Sequence, residues 1–186
     1  ARYEGQDWIM TKIDWSDAIA RARANAPFLD RSLDRLPELA AILADGDTNA
    51  AFEFCARPHA DQPIGIALRR QRLALALTLA IGDLAGAFTL DEVMQRLSAF
   101  ADLALDTAIA EAAQARTKLD SVDGFFALAL GKHGARELNY SSDIDPILLF
   151  DPEVLAEGEL DDGLRLPPDD HVADVEDNIT DGHSAS

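Results

Sequence analysis

Two aspartates one residue apart, Asp143 and Asp145, stand just before the apolar run that ends at Phe150, and a turn holding Gly131 and Gly134 follows the apolar run before them. In an extended strand, side chains at i and i+2 point the same way about 7 Å apart, so the two carboxylates would face one side. Magnesium takes one or two protein carboxylates and leaves positions for water and phosphate oxygens, which makes Asp143 and Asp145 candidate metal ligands. Phe125–Leu130 is a short apolar run bounded by glycines and reads as a buried strand, with Ile147–Phe150 as a second. Between them, Gly131 and Gly134 permit a tight turn and close backbone approach to a ligand. Ala135–Leu138 reads as a helical turn whose amides face an anion. The order strand, glycine turn, polar loop, Asp-x-Asp, strand predicts a phosphate-handling site between two strands.

What precedes this segment has helical signals. Asp14 and Ser16 can cap a short helix over residues 17–24, which Pro27 interrupts. Pro37 suits a first helical position, Leu39, Ile42 and Leu43 share a face, and Gly46 suits a left-handed stop. Phe52 and Phe54 give bulk to residues 50–56 before Arg57-Pro58 closes the segment. The longest apolar run, residues 64–84, alternates leucine with alanine. Its length and shortage of β-branched residues predict a central helix buried on nearly all sides. Arg69, Arg70 and Arg72 near its start form a solvated or ion-paired face, or one that meets an anionic partner. Thr89 and Glu92 have capping-box spacing, and Val93, Leu97, Phe100 and Ala104 then recur at helical intervals toward Thr117.

The formal charge of −18 is unevenly spread. From Asp151 onward twelve acids face one arginine, contributing −11 and leaving −7 on residues 1–150. Residues 154–186 hold few large apolar side chains and predict a disordered acidic tail. Its His171 and His183 read as part of that solvated segment. The acidic balance argues against a nucleic-acid partner. No apolar stretch is long enough for a membrane span and no leader pattern opens the sequence, so a cytoplasmic setting is expected. Cys55, the single cysteine, lies among apolar neighbours and reads as a small buried hydrophobe. The expected fold is a mainly α-helical region, 1–119, then the start of an α/β (α+β) nucleotidyltransferase sheet, 120–153, then the tail, 154–186.

GKHGARELNYSSDID, residues 131–145, resembles the signature of the glutamine synthetase adenylyltransferase/adenylyl-removing enzyme family, within the polymerase-β-like nucleotidyltransferases. APFLDRSLDRLPELAAIL and LRRQRLALALTLAIGDLAGAFTLDEVMQRLSAFADLALD are similar to the helical region before the first of that family's two catalytic domains. The resemblance spans about residues 13–153. It implies that Gly131, Gly134, Ala135 and Ser142 border the phosphates of a nucleotide, ATP or ADP. It also implies that Asp143 and Asp145 are catalytic and hold Mg2+. Similarity to the N-terminal half implies removal of AMP from a tyrosine of glutamine synthetase by inorganic phosphate, with the PII signalling protein as a further partner.

His133 and Pro146 stand where the family often has aliphatic residues. Pro146 removes a ladder donor right after Asp145 and belongs at an edge or a strand start. A third carboxylate, which the resemblance implies on a later strand after a helix, is echoed only faintly at Asp162. These departures predict a truncated or frame-shifted portion with a site two-thirds built and no activity alone. A different nucleotidyltransferase, such as a uridylyltransferase, is one alternative. A non-catalytic helical module that binds glutamine synthetase or PII is the other.

Overall fold

Helix α5, Ile64–Ala85, is the axis of the chain. The computed structural model describes residues 13–59, 61–116 and 122–151. The acidic stretch 154–186, with Asp162, His171 and His183, lies outside them. The second half of α5 is buried on several sides at once: Ala74, Leu75, Leu77, Thr78, Leu79, Ile81 and Gly82 are all inaccessible. A left-handed Gly86, φ 71°, stops the helix, its N–H donating back to the carbonyls of the last turn.

Four shorter helices wrap one side of α5: α1, Trp15–Asn25; α2, Pro27–Arg35; α3, Pro37–Ala44; and α4, Thr48–Cys55. Asp14 caps α1 by accepting from the Asp17 amide, and Asp47 caps α4 by accepting from Ala50. Ser16, the other candidate cap, lies within α1. Pro27 and Pro37 make corners of a single residue. The residue before each leaves the helical region, Ala26 extended and Leu36 at φ −125°, ψ 61°, ending one helix, and the ring, with no N–H to satisfy, begins the next. Pro27 therefore does more than interrupt: it opens α2, a helix the sequence patterns did not mark.

Leu33, Leu39, Leu43, Leu77, Leu79 and Ile81 form the centre of the core, each at or near complete burial. Full burial of such a side chain contributes about 1.5–3 kcal/mol, so this cluster outweighs the exposed ion pairs around it. Cys55 is buried, its Sγ 3.4 Å from the Thr78 hydroxyl, and burial pushes its thiol pKa up. One end of the core is aromatic. Phe88 meets Trp15 edge-on at 6.3 Å and Phe52 at 5.7 Å, with the Arg96 guanidinium 3.8 Å above the Phe52 ring.

Helix α6, Leu90–Arg116, begins with the capping box. Glu92 accepts from the Thr89 amide at 2.7 Å, and the Glu92 amide donates to the Thr89 hydroxyl at 3.3 Å. Strands β1, Phe125–Ala129, and β2, Pro146–Phe150, pair antiparallel with Phe125 opposite Phe150 and Ala129 opposite Pro146. Pro146 thus sits at the start of an edge strand, where its missing donor costs no ladder bond.

The apolar runs of these strands are exposed, contrary to the expectation of buried strands. Phe126, Leu128, Ile147 and Leu149 share one face, and Leu148 and Phe150 lie on the other, all 43–60% exposed. The physical reason is that, among the described residues, neither face of this two-stranded sheet is covered by a packed layer. Among the described residues, no helix is long and apolar enough to cross a membrane.

Candidate functional site

Leu130 leaves β1 and Gly131, at φ 57°, turns the chain into α7, the single helical turn Gly131–Gly134. The helical turn thus lies four residues before the Ala135–Leu138 segment expected from the sequence. Gly134 is packed so closely on β1 that a β-carbon there would collide with the Ala129 carbonyl oxygen. Only glycine fits, and the small residue keeps the turn against the strand. The Gly134 amide donates to Leu130 and the Ala135 amide to Gly131, while Glu137 donates to Lys132 at 2.7 Å. Arg136 follows in the left-handed region at φ 59°, a conformation costing a non-glycine residue about 1–2 kcal/mol.

The turn is tied to α6. His133 is 3% exposed, and its Nε2 lies 2.8 Å from Asp102 Oδ1. Arg136 donates to the other oxygen of Asp102 at 3.1 Å. Further on, Leu138 is buried, and the Tyr140 carbonyl accepts from Arg72 of α5 at 3.3 Å. That bond gives one of the three arginines singled out in the sequence a local role, and Arg69 reaches the Gly65 carbonyl. The Tyr140 phenol pKa is pushed up to about 12, chiefly by burial and secondarily by Asp83.

Asn139 and Ser142 lock the loop that delivers the aspartates. The Asn139 amide donates to the Ser142 hydroxyl, the Ser142 amide donates to the Asn139 carbonyl, and the Ser141 amide donates to the Asn139 side chain. Asp143, Ile144 and Asp145 follow without helix or ladder, so the aspartates precede β2 rather than lie inside it. Exposure alternates: Asp143 and Asp145 are exposed, while Ile144 and Pro146 are half-buried. Because Ala129 pairs with Pro146, the glycine turn leaves the sheet and the aspartates enter it at the same end. Asp143 also borders a cavity of about 940 Å³ between α1, α2, α5 and α6, walled mainly by apolar residues such as Leu29, Leu75, Leu97 and Phe100.

The structure therefore sets Gly131, Gly134 and Ala135 in the turn and Ser142, Asp143 and Asp145 in the approach to β2, at one end of one sheet. The donor chemistry fits magnesium: two exposed carboxylates lie two residues apart, and neither has a hydrogen-bond or ion-pair partner among the described residues. No group of three His, Cys, Asp or Glu residues with metal-binding proximity occurs among the described residues. Asp102, the tie to the turn, was not visible in the sequence. It falls off the apolar stripe of α6 and its partners are 31 and 34 residues away.

The sequence matches the family of glutamate-ammonia ligase adenylyltransferases over residues 9–164. It is 37% identical over 172 residues to the bifunctional glutamine synthetase adenylyltransferase/adenylyl-removing enzyme of Caulobacter vibrioides, covering 83% of this chain and 16% of that protein. The enzyme of the same name from Xanthobacter autotrophicus is 43% identical over 126 residues, covering 62% of this chain and 12% of its own length. That from Bordetella pertussis is 33% identical over 172 residues, or 79% and 18%. The chain thus spans less than a fifth of the length of these relatives. No solved structure matches it.

Proposed function

Because the chain belongs to the glutamate-ammonia ligase adenylyltransferase family, we propose that it supplies the helical region and the opening of the catalytic sheet of an adenylyl-removing domain. The reaction on this reading is phosphorolysis. An oxygen of inorganic phosphate attacks the phosphorus of an adenylyl-tyrosine on glutamine synthetase, and the bond from phosphorus to the tyrosine oxygen breaks. ADP leaves, and the tyrosine oxygen takes up a proton. The observation that carries the reading is the position of Asp143 and Asp145 at the sheet end where the glycine turn departs.

Asp143 and Asp145 would hold magnesium, which would supply charge neutralisation for the transferring adenylyl group. Gly131, Gly134 and Ala135 border the nucleotide phosphates, with Gly134 keeping the backbone close to β1. Ser142, fixed by Asn139, holds the approach to Asp143. With two carboxylates of the expected three among the described residues, this part of the site binds ADP or ATP, and turnover of adenylyl-tyrosine needs the third. Glutamine synthetase is its substrate partner, PII a regulatory one, and the cytoplasm its setting.

Equilibrium binding of ADP in the presence of magnesium tests this reading. The Asp143→Asn, Asp145→Asn double variant should lose at least about tenfold in affinity, as expected from removing charged ligands. Undiminished binding by the double variant, or none by the unaltered chain, overturns the nucleotide site. A second reading, a non-catalytic module for glutamine synthetase or PII, is favoured by the lack of a third carboxylate among the described residues. It predicts partner binding without nucleotide affinity.

A further inference from the structure

We infer that Asp102 is the positioning residue of the glycine turn, setting where Gly134 and Ala135 stand relative to Asp143 and Asp145. The inference rests on the reading of this turn as a phosphate-binding element. His133 and Arg136 flank Gly134 and Ala135, and each of them is held by one oxygen of the same carboxylate. A carboxylate only accepts hydrogen bonds, so His133 carries its proton on Nε2. His133 Nδ1 is then buried with no partner among the described residues.

The two bonds differ in weight. Arg136 and Asp102 side chains are 51% and 41% exposed, and such ion pairs contribute little in water. The His133 side chain is 1% exposed, so although Asp102 itself is 41% exposed, the histidine end of the bond is shielded and water cannot take the carboxylate's place at Nε2 without opening the turn. Arg136 has a further task, because its left-handed backbone needs a partner that keeps it there. Among the described residues the sheet adds little anchorage to the helices: the strands expose their side chains, and the near contact of Gly134 with Ala129 joins the turn only to β1. At the far end of the loop, Leu138 and the bond from Arg72 to Tyr140 hold the chain on α5. Asp102 therefore governs the near end, and with it the distance between the turn and the aspartates.

Two readouts test this on the full 186-residue chain: hydrogen exchange of the Ala135, Arg136 and Glu137 amides, and affinity for magnesium-ADP. Asp102→Ala should speed exchange at these amides and weaken ADP, each about tenfold, the loss expected when a hydrogen bond to a charged group goes. The amides of α5 should keep their protection. Asp102→Asn, which retains an acceptor for His133, should lie between. His133→Leu is the second variant: it removes the buried unpaired nitrogen with the bond, so it should leave the urea midpoint close to that of the unaltered chain while loosening the same three amides. Unchanged exchange in both Asp102→Ala and His133→Leu overturns the inference, as does faster exchange spread evenly over α5 and α6. If the unaltered chain binds no ADP, the nucleotide reading fails by itself, and the exchange comparison decides whether Asp102 positions the turn.

Discussion

Replacing Gly82 with alanine sets two opposing effects against each other in the last turn of α5. Alanine gains about 1 kcal/mol over glycine in a helix interior, from backbone entropy alone. The added methyl, however, would fall inside the Phe88 ring. That ring cannot withdraw freely, because it stands edge-on to Trp15 and against Phe52, under the Arg96 guanidinium. Overpacking costs about 1–3 kcal/mol, and each aromatic pair disturbed forfeits up to about 0.5–1.5 kcal/mol more. The net effect expected for Gly82→Ala, with both aromatic pairs of Phe88 disturbed and the propensity gain subtracted, is a loss of about 1–5 kcal/mol. Gly65, in the first turn of the same helix, is the control: its added methyl meets only the mobile tip of Arg69 at 3.6 Å. Gly65→Ala should therefore gain about 0.5–1 kcal/mol. Urea unfolding followed by far-ultraviolet circular dichroism should move the two midpoints in opposite directions, about 1 M or more apart for ordinary urea sensitivity. A Gly82→Ala chain as stable as the unaltered one would show that the Phe88 cluster yields without cost, and would refute the packing argument.

Two further outcomes concern pH. Glu92 accepts hydrogen bonds from the Thr89 amide and hydroxyl, which hold its carboxyl below the ordinary range. Its stabilisation is present above the unfolded carboxyl pKa and is lost as pH falls through the lower folded value. Thermal melts of Glu92→Gln should thus show a shallower acid decline than the unaltered chain, and identical acid limbs would count against the capping box. Tyr140 behaves oppositely: with its folded pKa raised from 10 to about 12, ionisation opposes folding, so stability falls as pH rises through that interval. Tyr140→Phe should remove this alkaline loss, and an unchanged alkaline limb would argue against burial of the phenol.

Features decided within a few residues were legible. The Thr89 and Glu92 spacing, Pro37 before Leu39, and Gly46 at φ 74° each determine their own local geometry, and the structure places them in those roles. The length of the leucine-alanine run separated helix from strand, but burial on several sides holds only for its second half, Ala74 to Gly82, while Ile66 and Leu84 are exposed. Pro27 misled, since a proline that ends one helix can also begin the next and the pattern alone does not distinguish them. Exposure of the Phe125–Leu130 run was not legible either: apolar composition reports what a strand would cover, not whether a covering layer is at hand. The helical turn was displaced because Gly131 can adopt a positive φ and start it directly after β1. Asp102 was invisible for a simpler reason, namely that no local pattern links a half-exposed helical acid to a turn some thirty residues on.

The two-stranded ribbon of β1 and β2 sets how this polypeptide behaves in a test tube. Among the described residues each outer edge presents peptide groups without ladder partners, and both surfaces are greasy, which is the arrangement that recruits a strand from a neighbouring molecule. Self-association should therefore grow with concentration, with neither the Pro146 position, which has no N–H, nor Phe125, whose N–H already donates to the Val122 carbonyl, able to donate to an incoming chain.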